Sequence, residues 1–382
     1  MTQLHCLGLP HTITNADYVA CAFTQKVRKF LTMFKDSDKY RTIHYGHNKS
    51  DTDAHEQVDV TSDEVLNSAY GDYDWKKGFF KHATDDLAHK VFNQNAGREI
   101  LKRKKKSDLV LAFWGGTREA CEIANKDGDL IVVEPGIGSG WAFAQFRCYE
   151  SYPLKGAYVG TDGVSFCNPT WYHRIVPNYF NPLEFEAKSE REDWALYIGR
   201  IGTNKGLDLA IDACKRLGVK LKVCGQGGPS DIGMTEWPAH VEYLGYADVA
   251  TRKDLMGRAK FGFLLSTYWE PFGGTAVEML FSGCVPICAD NGAMTEYIVD
   301  GVNGFRCNTM GDILRAVRLV DTIDRNRLVA FANDNFSLTA VKPKFERAFD
   351  DFSDVFNKEG WYTDHNRTLD TGLGLNFKAL YV

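Results

Sequence analysis

Residues 260–290 read KFGFLLSTYWEPFGGTAVEMLFSGCVPICAD. KFGFLLST is a short continuous apolar run, GTAVEMLFSG (274–283) has helical spacing and a glycine stop, and CVPICAD (284–290) is again strand-like. A buried strand, a Gly-rich turn, a helix and a second buried strand form one βαβ unit, and such units build a parallel sheet covered on both faces. The alternation extends in both directions. Upstream, DWALYIGRI (193–201), VKLKVCGQGG (219–228) and HVEYLGY (240–246) read as strands. KGLDLAIDACKRLG (205–218) and DVATRKDLMGRA (248–259) read as the helices between them. Downstream, AMTEYIVD (293–300) is helical, GVNGFRC (301–307) turns into a short strand, and MGDILRAVRLVDT (310–322) is a helix.

The first half alternates less regularly. RTIHYGH (41–47), SDLVLAFWG (107–115) and DLIVVEPG (129–136) are strands, with REACEIANKDG (118–128) a helix between the last two. TNADYVACAFTQKVRKFLTMF (14–34) has helical apolar spacing and opens on a cap-like Thr14-Asn15. The polar stretch 48–105 resolves into no definite element. RIVPNYFNPLEFEAKSERED (174–193) carries two prolines and then seven charged residues from Glu184 to Asp193, the composition of a linker. The expected division is therefore 1–178, 179–335, and a tail 336–382 whose aromatics fall at helical spacing.

Composition narrows the function classes. The chain has 382 residues, 44% hydrophobic and 25% charged, with net charge −5. Those proportions belong to a globular protein of two ordinary domains, without a global basic field for nucleic acid or anionic lipid. There is no secretory signal pattern and no apolar run long enough to span a bilayer. Ten cysteines are scattered with no CxxC pair, which reads as reduced thiols in a cytoplasmic protein rather than a disulfide or zinc framework. The run KRKKK (Lys102 to Lys106) either touches phosphates of DNA or of an anionic surface, or is a solvated loop. DTD (51–53) and DYD (72–74) read as surface acids, and no metal site is expected.

In an open parallel sheet, ligands sit at the carboxyl ends of the strands. Here those ends carry Gly199-Arg200, then Gly225 to Gly228, then Glu270-Pro271-Phe272-Gly273-Gly274. Gly273-Gly274 lead into a helix, whose free N–H groups and positive dipole end suit a phosphate. Arg200 and Lys205 add cations suited to a diphosphate. Glu270 lies in the loop and Glu278 is expected in the first helical turn. A carboxylate accepts from vicinal hydroxyls, so two of them spaced along a nucleotide sugar can each hold one ring. The plain alternative makes Glu278 a helix-terminus residue and Glu270 a solvated one.

GRIGTNKGLDLAI, EPFGGTAVE and GCVPICADNGAMTEYIVDGVNGF together resemble the GT-B glycosyltransferases of family 4, over roughly 193–335. The resemblance implies an α/β protein of GT-B type, two Rossmann-like domains facing across a cleft, with a C-terminal helix crossing back to the first. It implies a retaining enzyme with a nucleotide-sugar substrate, a UDP-sugar by default, and no cofactor. By resemblance, Arg200 and Lys205 bind the donor diphosphate, Glu278 the ribose, and Glu270 the donor sugar near the reacting carbon. The backbone of Phe272, Gly273 and Gly274 touches sugar and phosphate, and Gly199, Gly225 and Thr275 belong to the same donor site. The first loop departs from the pattern: GLPHTITN (8–15) has one glycine where many relatives have two. No motif picks out a reactive histidine. VVEPGIGSGWAFAQFRCYES (132–151) resembles a segment of some bacterial and viral transferases, and its Glu134 either faces the acceptor or caps the next helix. The acceptor stays open among glycan, lipid, small molecule and modified DNA base. A glycosidase-type carboxylate pair and a non-catalytic nucleotide-sugar binder are the competing classes.

Overall fold

The computed structural model describes residues 1–19, 21–72, 74–75, 82–138, 142–161, 170–359 and 374–381. The first domain runs β1 (Thr2–Leu7), α1 (Ala22–Phe34), β2 (Tyr40–His47), β3 (Glu56–Thr61), α2 (Asp63–Tyr70), α3 (Leu87–Arg103), β4 (Leu109–Ala112), α4 (Arg118–Ala124), β5 (Ile131–Ile137), β6 (Phe146–Tyr149), α5 (Tyr152–Thr161) and β7 (Arg174–Ile175). The second runs β8 (Glu192–Ile198), α6 (Leu207–Leu217), β9 (Lys220–Cys224), β10 (Val241–Tyr243), α7 (Val249–Arg258), β11 (Ala259–Leu264), α8 (Gly274–Phe281), β12 (Val285–Ala289), α9 (Met294–Tyr297), β13 (Phe305–Cys307), α10 (Met310–Leu319) and α11 (Arg325–Phe336). A last helix, α12 (Leu338–Phe356), follows.

The strands form two sheets, ordered β3-β2-β1-β4-β5-β6-β7 and β10-β9-β8-β11-β12-β13. Every strand pair is parallel. In each sheet the order reverses beside the first strand, between β1 and β4 and between β8 and β11. Loops leaving those strands diverge there and open a crevice, the place where doubly wound sheets bind ligands.

The second domain follows the expected alternation closely, because its central strands β8, β11 and β12 are near-continuous apolar runs buried on both faces. The first domain departs from expectation in three places. The helix expected from residue 14 begins at Ala22 instead. Asn15 does cap, but its Oδ1 accepts from the N–H groups of Asp17 and Tyr18, closing a local turn that starts no helix. The unassigned stretch 48–105 holds β3, α2 and α3. Helix α3 buries His89, Asn93 and Gly97 beside Ala88, Phe92, Ala96 and Ile100, so half its inner face has no hydrophobic signature. Strand β1 is not a continuous apolar run either, since Gln3 and His5 are buried in it.

The tail crosses back. Helix α12 buries Val341, Phe345, Phe349 and Phe352, and Phe345 and Phe349 meet Phe30 and Phe34 of α1 at ring distances of 5.4 and 6.2 Å. The two passages of the chain between domains lie side by side: Phe180 N–H donates to Phe336 O at 2.9 Å, and Leu338 N–H donates to Phe180 O at 3.1 Å. The first part of the 174–193 segment is thus packed, with Ile175, Val176, Tyr179 and Phe180 buried, while Leu183 is exposed.

The basic run ends α3 and is tied down by this chain's own acids. Lys102 and Arg103 pair with Glu99, Arg103 also with Glu56, and Lys104 with Asp127 and Asp129. Three of the five cations therefore face carboxylates, which leaves little of a phosphate-binding stripe. Of the acidic triplets, Asp53 accepts from Thr32, and Tyr73 of the second lies outside the described residues. Among the described residues, no group of histidine, cysteine and acidic side chains is arranged to hold a metal ion. The nine described cysteines are free, eight of them buried, and no described helix is long and apolar enough to cross a membrane. Cys167 lies outside the described residues.

Candidate active site

Between the domains lies a cleft of about 660 Å³. From the second domain it is lined by Gly199, Arg200, Lys205, Glu270, Phe272, Gly273, Gly274, Thr275 and Glu278. These residues are brought together by the loops after β8 and β11. Two glycines make the approach possible. Gly206 has φ 66°, and a Cβ there would sit 2.1 Å from Leu265 O, so the loop carrying Lys205 can press against the end of β11. Gly273 has φ 75°, and its missing Cβ would lie 2.6 Å from Met294 Sδ and 2.9 Å from Tyr297 Oη. The Tyr297 hydroxyl donates to the carbonyls of Phe272 at 2.6 Å and Gly273 at 3.1 Å. That peptide is thereby fixed as the start of α8.

The two glutamates are not a facing pair. Glu270 is 7% exposed, and its Oε1 accepts from Ser266 Oγ at 2.6 Å, Tyr268 Oη at 2.7 Å and Lys205 Nζ at 3.0 Å. Lys205 Nζ also donates to Tyr268 Oη and lies 4.4 Å from the centroid of its ring. Burial, with Glu270 nearby, drives the Tyr268 phenol well above its ordinary range, so it remains a donor. Glu278 sits in the second turn of α8, one turn later than expected, because the helix starts at Gly274. Its carboxylate pairs with Arg252 of α7. Burial works against the Arg252 charge, but Glu278 more than compensates, and the guanidinium pKa is raised.

Two expected residues lie elsewhere. Gly225 does not line the cleft; at φ 152° its missing Cβ would fall 1.8 Å from Gly199 O, so it permits the loop after β8 to cross β9. Glu134 lies in the middle of β5 rather than at its end; it is buried and accepts from the N–H groups of Phe143 at 2.9 Å and Ala144 at 2.8 Å. It caps a loop ahead of β6 rather than a helix, and it borders a small hollow beside the cleft.

The first domain contributes side chains that no motif announced. From α1, Lys29 reaches the cleft, 4.7 Å from the Phe180 ring and 3.7 Å from Glu184. Burial pulls its pKa below the usual lysine range, opposed by Glu184 and Glu278. One turn earlier, Lys26 pairs with Glu150 at the end of β6. His11 and His82 also line the cleft, stacked at 4.2 Å with Trp114 edge-on at 5.0 and 5.3 Å. Burial, together with His82 and His89, holds His11 well below its ordinary pKa, so it is neutral. The domains also touch directly: Ser151 Oγ donates to Pro271 O at 2.6 Å, and Tyr152 N–H to Glu296 Oε1 at 3.0 Å.

Comparison with known proteins agrees with this architecture. Residues 182–328 match the family model described as glycosyl transferases group 1. A glycogen synthase of Mycobacterium tuberculosis is 30% identical over 137 residues, 33% of this chain and 33% of its own length. Glycogen synthase 1 of Rhizobium meliloti is 32% identical over 169 residues, 38% of this chain and 35% of its own. The match thus spans about a third of the length of these curated relatives. Similar solved structures include TarM, with TM-score 0.68 and 12% identity over 92% of this chain and 99% of that one. Anabaena Alr3699/HepE in complex with UDP-glucose gives 0.63 and 14% over 92% and 100%. AviGT4, a glycosyltransferase involved in avilamycin A biosynthesis, gives 0.62 and 14% over 94% and 98%. The chain has the GT-B fold.

Proposed function

We propose that this chain is a retaining glycosyltransferase of family 4 that takes a hexose from a nucleotide-diphosphate donor and transfers it to an acceptor hydroxyl in the cytoplasm. A UDP-sugar such as UDP-glucose is the donor the reading favours, supported by the UDP-glucose held by a structure of the same fold. The observation that carries the proposal is the conjunction of Lys205, anchored between Tyr268 and Glu270, with the N-terminus of α8 on the same wall of one cleft.

As the bond from the sugar to the diphosphate breaks, negative charge grows on the departing phosphate oxygens. Arg200, Lys205 and the first N–H groups of α8 supply positive potential where it develops, a contribution that does not depend on a metal. Glu270 takes hydroxyls of the transferred sugar and Glu278 those of the ribose. Phe272, Gly273, Gly274 and Thr275 form the wall between them, and Gly199 leaves the diphosphate room. The cleft histidines His11 and His82 are the first-domain candidates for the sugar.

A hydrolysis screen across radiolabelled nucleotide sugars tests this without an identified acceptor. Wild type should release sugar from one donor, and Glu270→Gln and Arg200→Met should each lose at least about a hundredfold in kcat/KM. Undiminished hydrolysis in both variants would refute the assignment. Tight donor binding with no release or transfer under any condition would instead identify a non-catalytic binder.

A further inference from the structure

The acceptor-side wall contains a charge pair that the donor reading leaves unused. Lys26 and Glu150 are each 5% exposed in their side chains, yet both line the cleft. Lys26 Nζ also donates to Gly136 O at 3.1 Å, at the end of β5. Burial raises the pKa of Glu150, with Lys26 opposing the rise. A buried ion pair is a poor way to gain stability, since desolvation consumes most of its Coulomb attraction and an apolar pair of equal volume commonly does as well. Its position suggests another use. The Lys26 ammonium, carried on α1, reaches the carboxyl end of β5 at Gly136, and Glu150 directly follows β6, so both heads lie at strand ends, where a parallel sheet presents its ligand.

Two features place this pair against the reacting sugar. Ser151, the next residue after Glu150, donates to the carbonyl of Pro271, the residue after Glu270. The Glu150 backbone is therefore pinned to the loop that carries the donor-sugar carboxylate. Next, the pair is roofed by glycine. A Cβ on Gly138 would sit 3.2 Å from Lys26 Nζ and 3.4 Å from Glu150 Oε2, and one on Gly136 would sit 3.8 Å from Lys26 Nζ and 3.9 Å from Glu150 Oε1. Gly138 itself lines the cleft, so both charged heads face a space that any side chain there would fill.

We propose that Lys26 and Glu150 form the floor of the acceptor subsite and hold a neutral polyhydroxylated acceptor, a sugar or polyol, by one hydroxyl. An ammonium donor beside a carboxylate acceptor matches both halves of an alcohol, its lone pairs and its proton. Their charges cancel, so no bare cation is presented to a phosphate-bearing acceptor. The inference rests on the glycosyltransferase reading and supplies its acceptor class.

The test uses the full chain with the donor found by the hydrolysis screen. Transfer is measured to methyl glucoside, maltose and inositol, to glucose 6-phosphate and inositol phosphate, and to duplex DNA bearing hydroxymethylcytosine. Wild type should use a neutral acceptor in preference to its phosphorylated counterpart and to DNA. Lys26→Met, Glu150→Gln and Gly138→Ala should each raise acceptor KM at least tenfold while donor KM moves less than twofold. Gly138→Ala keeps both charged side chains and adds one methyl group 3.2 Å from Lys26 Nζ; an unchanged melting temperature separates its effect from misfolding. Preference for a phosphorylated acceptor or DNA, or donor and acceptor KM rising together in all three variants, would overturn the proposal. If wild type neither hydrolyses nor binds any nucleotide sugar, the underlying glycosyltransferase reading falls first and takes this one with it.

Discussion

Arg252→Met offers the sharpest test of how Glu278 is held. The guanidinium is 24% exposed and the carboxylate 13%. Removing one member of a buried pair typically costs about 3–5 kcal/mol, because the surviving charge is left in a poor solvent. Here Lys29 supplies a second cation whose charge Glu278 feels, so the loss should be nearer about 2–3 kcal/mol. For domains of this size that corresponds to a fall in melting temperature of roughly 6–9 °C. The double variant Arg252→Met/Glu278→Gln removes the stranded charge and should recover most of the loss, to within about 1 kcal/mol of wild type. Donor binding should not recover. Losing a charged hydrogen bond to ribose is worth about 1.5–3 kcal/mol, so donor KM should rise roughly 10- to 100-fold in the double variant, with kcat less affected because the ribose is remote from the reacting bond. Thermal unfolding and donor-hydrolysis kinetics on the four proteins of the cycle give both readouts. A double variant as unstable as Arg252→Met would refute the stranded-charge argument, and an unchanged donor KM in it would refute the ribose role.

Lys205→Met removes a cation from the proposed diphosphate site and leaves the buried Glu270 to Ser266 and Tyr268; kcat/KM for donor hydrolysis should fall about 10²–10³-fold, and the melting temperature should fall as well, as for Arg252→Met. Gly273→Ala forces a side chain onto φ 75° and against Met294, and should cost about 1–3 kcal/mol and weaken donor binding, as read by urea unfolding and nucleotide titration. Glu296, whose carboxyl accepts from Tyr152 across the domain boundary, is raised by burial to about 7. A carboxyl raised in the folded state contributes stability that is complete below its unfolded pKa and lost as pH climbs through its folded one. Urea midpoints should therefore decline between about pH 4.5 and 7 from this residue, and Glu296→Gln should flatten that part of the profile; an unaltered slope would dismiss the assignment.

The wall of the cleft proposed for the donor was legible because its residues are contiguous in the chain. Glycines, a proline and two glutamates at the end of an apolar strand state a turn, a helix start and a pair of acceptors without reference to anything distant. The rest of the cleft depends on partners far off in the chain. Arg252 meets Glu278 only because α7 and α8 lie together beside the sheet, and Lys26 meets Glu150 only because α1 packs over the end of β6. The same limit applied to the first domain's fold. In β1, Gln3 bonds Asp108 and His5 bonds Tyr45, so polar residues are satisfied inside by partners that no local pattern discloses. Hydrophobic periodicity detects burial that is paired by apolar contact and is blind to burial paired by hydrogen bonds.

The arrangement of the two glutamates bears on reaction class independently of any resemblance. A carboxylate pair that shares acid and base work across one bond needs its members placed differently enough that one keeps a proton and the other takes one. Here each glutamate has its own cation, Lys205 for Glu270 and Arg252 for Glu278. Each is therefore held against a positive charge, and the two environments are alike rather than opposed. Glu270 goes further, because three donors converge on its Oε1. A carboxylate offers about four lone-pair positions over its two oxygens, so that atom has none left to receive a proton from an incoming alcohol. The geometry suits a fixed acceptor that orients hydroxyls, with only Oε2 left to compete for the acceptor's proton. In a transfer that retains configuration, the departing phosphate oxygen lies on the face the acceptor approaches and can take that proton. A consequence is that Glu270→Gln, which keeps an acceptor oxygen and loses the charge, should retain more activity than Glu270→Ala by up to about tenfold, the worth of the neutral hydrogen bond that alanine cannot make. If instead Glu270→Gln and Glu270→Ala are equally dead, and azide or formate restores the alanine variant, Glu270 is acting as a base or nucleophile and the clamp reading is wrong.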